Sequence, residues 1–166
     1  MTGRALTVDP LTAAAFAPFG EVVEAGGGAQ LINEGTARRY GDLAEVDVAA
    51  EDGRPRVSLY RSEARRWPLA IRMLERHPIG SQLFMPLSGH PYLVVVAPPG
   101  ALPERAAVRA FLAGGRQGVN YRRGTWHHPL IALEEARDFL VIDRGGPGAN
   151  CEEFHFADEG FELARP

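Results

Sequence analysis

The chain contains no lysine. All 18 of its basic residues are arginines, set against 21 acidic ones for a formal net charge of -3. That absence excludes Schiff-base chemistry, pyridoxal phosphate attachment and the Gly-Lys-[Ser/Thr] phosphate loop. An anionic ligand has to be gripped by guanidinium, imidazole or backbone amides. Cysteine is almost missing as well: Cys151 stands alone, which excludes an intrachain disulfide and a cysteine-based zinc cluster. The longest apolar stretches, Tyr92–Pro99 among them, fall far below the roughly 20 residues that a membrane helix needs. Met1 to Asp9 hold no apolar signal core, so a cytoplasmic location is expected. The slightly acidic balance argues against a nucleic-acid partner, whose affinity would come from neutralising phosphates.

What is present is ordinary for a globular protein. In 166 residues, 45% are hydrophobic and 23% charged, enough for one domain over 1–166 with its own core. Asp9-Pro10 before Leu-Thr-Ala-Ala-Ala-Phe reads as an N-cap with proline at the first helical position, and Gly20 as the residue closing that helix. Asn33–Asp42 is polar, carries Arg38, Arg39 and Tyr40, and reads as a loop within reach of function. From Arg56 onward, short β-branched or aromatic runs are cut by glycine and proline. Val57–Tyr60, Ser81–Pro86, Tyr92–Ala97, Ala107–Leu112, Gly118–Tyr121, Leu130–Leu133, Asp138–Asp143 and Glu153–Phe156 all qualify as strands. Trp67–Arg76 suits helix or strand equally. The pattern predicts a mainly β fold, an antiparallel barrel or jelly roll with a few short helices.

Three segments carry candidate chemistry. In Glu75-Arg76-His77-Pro78-Ile79-Gly80-Ser81-Gln82, alternation puts Glu75 and His77 on one strand face, and the Pro-Gly turn can return Gln82 to it. In Tyr121-Arg122-Arg123-Gly124-Thr125-Trp126-His127-His128, alternation splits the histidine pair, so that one of them at most looks into a barrel. Asp143-Arg144-Gly145-Gly146 places an acid at a strand end. Each has a plainer explanation: single histidines are commonly core or surface residues, Asp143-Arg144 suits a turn brace, and Trp126 and Phe84 suit packing. Convergence favours function, because two histidine-bearing segments each bring a turn glycine to a chain with only five histidines.

The spacing of Glu75, His77, Gln82 and Gly89 resembles the first cupin motif, H-x-H-x4-E-x6-G, with glutamate in place of its first histidine and glutamine in place of its glutamate. Gly124 and His127 match part of the second motif. The fuller string resembles the bacterial ureidoglycolate lyase family. Its blocks are Ile32-Asn33-x-Gly35, Arg39-Tyr40-x-Asp42-Leu43-Ala44, Glu75-Arg76-His77-Pro78, Gly118-Val119-Asn120-Tyr121, Trp126-His127-His128-Pro129-Leu130 and Asp138-Phe139-Leu140-x-Ile142-Asp143-Arg144-Gly145-Gly146. The blocks stand in order, and the similarity covers nearly the whole chain, from Leu11 to about Glu153.

The resemblance implies a cupin-like homodimer that splits ureidoglycolate, a small anion of purine-derived ureide catabolism, into glyoxylate and urea. Histidine suits the proton work because its pKa, about 6.5, lies near neutrality, and arginine suits the carboxylate because its fork binds both oxygens. The expected roles are His127 or His77 as base, Glu75 as orienting or acid group, Arg123 or Arg39 on the carboxylate, and Gln82, Tyr121 and Asp143 as further substrate contacts. In cupins the positions of Glu75, His77, Gln82 and His127 commonly bind a divalent ion, and nickel, manganese or zinc all suit these donors. Rival functions are a ureidoglycolate amidohydrolase, releasing ammonia, and a non-catalytic cupin that binds a small carboxylate. A free barrel edge or the face of Trp126 is the expected dimer surface. Cys151 has no activating neighbour, since Glu152 and Glu153 raise a thiol's pKa.

Overall fold

The structure is a computed structural model that describes residues 3–166. Two sheets face each other across an apolar interior. One runs in the order Gly20–Val23, Gly118–Tyr121, Gln82–Pro86, Arg137–Gly145, Arg54–Ser62. The other runs Glu152–His155, Met73–Arg76, Trp126–His127, Tyr92–Ala97, Arg109–Ala113, Val8–Pro10, with Ile131–Ala132 also on Tyr92–Ala97. Val94 and Val96 point between the sheets and meet Phe84, Tyr121 and Phe139. Leu93, Val95 and Ala97 point the other way, into a second core with Ile71 and Phe161. A three-stranded sheet of Arg4–Ala5, Phe161–Leu163 and Leu69–Ile71 contributes to that second core. Tyr92–Ala97 is therefore apolar at every position because it is buried on both faces.

The mainly β expectation holds, with one short α-helix and three 3-10 turns among the described residues. The architecture is an open sandwich: among the described residues the two main sheets do not close into a barrel. Two outer pairings are parallel, Arg4–Ala5 with Phe161–Leu163 and Val8–Pro10 with Arg109–Ala113. Strands Tyr92–Ala97 and Gly118–Tyr121 start and end where the sequence places them.

Several local expectations need correction. Asp9 and Pro10 are not a helix start, for Val8–Pro10 is an edge strand, where proline's missing N–H costs no ladder bond. The helix is Ala13–Phe16, capped by Thr12, whose side chain accepts from the Ala15 N–H. Gly20 opens a strand instead of closing the helix; a Cβ there would sit 1.8 Å from the Asn120 carbonyl oxygen, so only glycine fits the approach. Asn33–Asp42 is not all loop, since Gln30–Ile32 and Ala37–Arg39 form a hairpin around the turn Asn33–Gly35. Trp67–Arg76 resolves into two strands, Leu69–Ile71 and Met73–Arg76.

Candidate active site

Strand register builds the site. In the five-stranded sheet one cross-strand row reads Tyr121, Gln82, Asp143, Arg56. In the facing sheet a row reads Val96, His127, Glu75, Glu153. Val96 and Tyr121 both belong to the core between the sheets, so both rows point inward and meet near one end of the sandwich. Tyr121 lies on His127 across that gap, ring centroids 4.3 Å apart and planes 15° apart. His77 follows Met73–Arg76 and stands 5.1 Å from the His127 ring. Gly124, at φ +78, turns the chain so that its N–H donates to the His77 carbonyl at 2.9 Å, tying the two histidine segments together.

The hydrogen bonds set the tautomers. Nδ1 of His127 lies 3.0 Å from the Thr125 carbonyl oxygen, and Nδ1 of His77 lies 2.6 Å from that of Asn150. Each Nδ1 must donate there, so in the neutral rings each Nε2 keeps a bare lone pair. The His127 Nε2 is buried with no hydrogen-bond partner among the described residues, 3.4 Å from Glu75 Oε1. The His77 Nε2 is 3.1 Å from Gln82 Oε1. Burial alone would raise the Glu75 carboxyl, but the His127 imidazole 3.4 Å away, with His77 and His128 nearby, holds it below its ordinary range. Burial and the neighbouring His127 push His77 down, towards its neutral form. Burial pushes His128 down to about 4.

Glu75 and His127 border a cavity of about 320 Å³, together with Tyr60, Tyr121, Arg65 and His128. The volume suits a small metabolite. Burial raises both the Tyr60 and Tyr121 hydroxyls, keeping them protonated and able to donate. The Tyr121 hydroxyl has no partner among the described residues. His127 and His128 both border this cavity, so the expectation that strand alternation leaves one of them outside does not hold. The strand stops at His127, and His128 Nδ1 lies 2.8 Å from the Pro129 carbonyl oxygen.

The structure thus brings Glu75, His77, Gln82, Tyr121, His127 and Asp143 together. Arg123 lies elsewhere, in a bidentate pair with Asp47 at 2.7 and 2.8 Å, beside a separate polar pocket. Arg39 is exposed on the outer hairpin. The guanidiniums at the site are ones that sequence reasoning missed. Arg56 holds Asp143 through two bonds, and half-buried Arg65 borders the cavity. Arg144 is a structural brace, donating to the Ala50 and Glu51 carbonyls at 2.8 Å. Trp126 is buried, donating to the Gly100 carbonyl under the Arg76 guanidinium, and so is no surface for a partner. The Cys151 thiol is exposed and raised, by burial first and then by Glu75, Glu153 and Glu152.

The donor set fits a divalent cation. One carboxylate oxygen of Glu75 and one ring nitrogen each of His77 and His127 lie within 4.8 Å of one another, and the Gln82 oxygen is beside them. Two imidazoles with bare Nε2, each fixed from behind by a carbonyl, are the usual arrangement of metal-ligating histidines. With His77 neutral, the Nε2 and Gln82 Oε1 lone pairs face each other with no proton between them, which an electron-poor centre relieves.

The two-sheet fold and its inward-facing Glu–His–His–Gln centre place the protein among cupin-like enzymes. A family model described as ureidoglycolate lyase matches residues 3–163. A ureidoglycolate lyase of Azotobacter vinelandii is 56% identical over 165 residues, 98% of this chain and 99% of the relative. Those of Stutzerimonas stutzeri, at 54% over 98% of this chain and 96% of the relative, and Burkholderia mallei, at 56% over 90% and 88%, agree. The chain belongs to the ureidoglycolate lyase family. No helix among the described residues is long and apolar enough to cross a membrane.

Proposed function

We propose that this protein, acting as one domain over 1–166, cleaves (S)-ureidoglycolate to glyoxylate and urea. The observation that carries the proposal is the bare, buried Nε2 of His127, held beside an ionised Glu75 at the wall of a cavity of metabolite size. Collapse of the substrate needs little else. His127 Nε2 accepts the hydroxyl proton, the oxygen's electron pair forms the aldehyde C=O, and the C–N bond breaks with its pair on nitrogen. The His127 imidazolium then returns the proton to that nitrogen, releasing urea. Glu75 orients His127 and stabilises the imidazolium. His127 takes this role ahead of His77, which is outside the cavity wall. Tyr121 offers its unpaired hydroxyl to the substrate.

For the substrate carboxylate, Arg65 is better placed than Arg123 or Arg39. It borders the cavity and forms no ion pair among the described residues, while Arg61 is tied to Asp138. Glu75, His77, His127 and Gln82 would alternatively hold a divalent ion, whose chemistry when bound is to acidify the hydroxyl of an α-hydroxy acid; His127 Nε2 would then be a ligand in place of the base. A homodimer is supported by the unpaired outer edge of Arg54–Ser62, and a cytoplasmic location suits the exposed, free Cys151 thiol.

The test is incubation with racemic ureidoglycolate, quantifying urea, ammonia and glyoxylate with and without prior chelation, after subtracting spontaneous decay. Equal urea and glyoxylate are expected. Ammonia in place of urea would move the assignment to the amidohydrolase, and saturable binding without turnover would move it to a carrier or sensor. His127→Ala should cut turnover on the order of a hundredfold or more; turnover within a few-fold of wild type would remove His127 from the mechanism.

A further inference from the structure

The geometry points to Asp143, backed by Arg56, as a positioning residue that locks the side-chain amide of Gln82 with its oxygen turned towards the reaction centre. The inference rests on the lyase reading above for its link to turnover, although the locking itself is a property of the fold.

The argument is one of donors and acceptors. Arg56 donates from Nε to Asp143 Oδ1 at 2.9 Å and from Nη2 to Oδ2 at 3.0 Å. A guanidinium can only donate, so both Asp143 oxygens must accept. Oδ2 also accepts from Gln82 Nε2 at 3.3 Å. The amide therefore cannot turn over without setting its own oxygen against a carboxylate. Gln82 and Asp143 are both nearly inaccessible, and water cannot substitute for the lost bond. With nitrogen committed to Asp143, Gln82 Oε1 faces His77 Nε2 at 3.1 Å. Arg56, Asp143 and Gln82 occupy a single cross-strand row, so register delivers the whole chain of bonds. Asp143 never borders the cavity that Glu75 and His127 line. It acts through Gln82, in place of the direct substrate contact that its position in the sequence suggests.

The lock also accounts for a neutral amide at this position. A carboxylate at position 82 would lie against Asp143, two buried like charges in contact, and one would have to take a proton. Reversing the polarity of both residues removes the like-charge conflict: in Gln82→Glu/Asp143→Asn, the new amide nitrogen donates to the new carboxylate while its oxygen accepts from Arg56 Nε, and the half-exposed Arg56 gives up its Nη2 bond and turns that N–H to water.

The experiment is a double-mutant cycle of Gln82→Glu and Asp143→Asn in the full chain, read by turnover, melting temperature and side-chain amide NMR. Selective 15N labelling yields three glutamine amide pairs, from Gln30, Gln82 and Gln117. In wild type the Gln82 pair should exchange slowly, and in Asp143→Ala or Asp143→Asn measurably faster. Gln82→Glu alone should lower both the melting temperature and kcat, the latter about tenfold or more, while adding Asp143→Asn should win back part of both losses, where the same Asp143→Asn in wild type lowers them. Stability that follows the cycle while kcat and KM stay flat would make Asp143 merely structural and overturn the inference. Wild-type protein inert towards ureidoglycolate would defeat the lyase reading alone, because slow Gln82 exchange that depends on Asp143 would still establish the lock. Fast Gln82 exchange in wild type would overturn it.

Discussion

The ring of Tyr121 lies flat against that of His127, 4.3 Å away and inclined by 15°, and it is the contact through which the two sheets meet at the centre. The stack fixes the rotation of an imidazole whose only side-chain hydrogen bond among the described residues is from Nδ1 to Thr125, and so fixes where Nε2 points.

Tyr121→Phe separates the two duties of this residue. It retains the stack and deletes a buried hydroxyl that has no partner, so stability should change by no more than about 1 kcal/mol. Turnover should nevertheless fall by about tenfold to a hundredfold if the hydroxyl donates to the substrate in the transition state. Tyr121→Leu, which removes the stack as well, should cost roughly 3 kcal/mol. Denaturant unfolding and steady-state kinetics on both variants check this, and an unaltered kcat in Tyr121→Phe would leave the tyrosine a packing role only.

The donor set makes a second expectation. Calorimetric titration with Ni2+, Mn2+ or Zn2+ should show one equivalent bound per chain, with little proton release near neutral pH because the ligand lone pairs are already bare. Glu75→Gln keeps the size of the side chain and removes the one anionic ligand, and should weaken binding on the order of tenfold or more. Affinity unchanged by Glu75→Gln would place the ion elsewhere.

The strands were legible where alternation or a fully apolar run left one solution, as at Tyr92–Ala97 and Gly118–Tyr121. Glu75, His77, Gln82 and His127 were legible as a set because motif spacing carries them. Arg56 was not. It meets Asp143 from 87 residues away, through the register of two nine-residue strands, and nothing local distinguishes it from the other 17 arginines. Arg65 was hidden similarly, on an irregular segment beside the cavity. Arg123 and Arg39 looked suitable by nearness in sequence to histidine or to a polar loop, but Arg123 sits on a turn and is paired with Asp47, and Arg39 lies on the outer hairpin.

Stability should depend on pH through His128. Its pKa is near 6.5 when unfolded and about 4 in the fold, chiefly because of burial. The unfolded chain therefore binds the proton first as pH drops. The contribution is complete above about pH 6.5 and is lost as pH falls towards 4, up to roughly 3 kcal/mol in all. Urea midpoints measured between pH 7 and 4.5 should fall for wild type and fall less steeply for His128→Asn. Parallel slopes would show that His128 is not the titrating group.

The outer edge of the five-stranded sheet yields the last prediction. Among the described residues Arg54–Ser62 pairs on one side only, with Arg137–Gly145. On its outward face Val57 and Leu59 are 67% and 69% exposed, beside the partly exposed Ile142 and Leu140 opposite them. A nine-residue free edge with an apolar flank is a liability in a monomer. Two copies related by a two-fold axis can cover it, because antiparallel pairing of the strand with itself sets Val57 of each copy against Leu59 of the other. Light scattering should then give twice the chain mass for wild type. Val57→Asp/Leu59→Glu should give monomers, since the pairing would oppose like charges. Leu102→Glu, at an exposed leucine on a different surface loop, should leave the dimer intact. A monomeric wild type, or a double variant still dimeric, would show that this edge is not the interface. Loss of turnover along with the dimer would have a physical cause close at hand, for the same strand carries Arg56, which holds Asp143, and Tyr60, which borders the cavity.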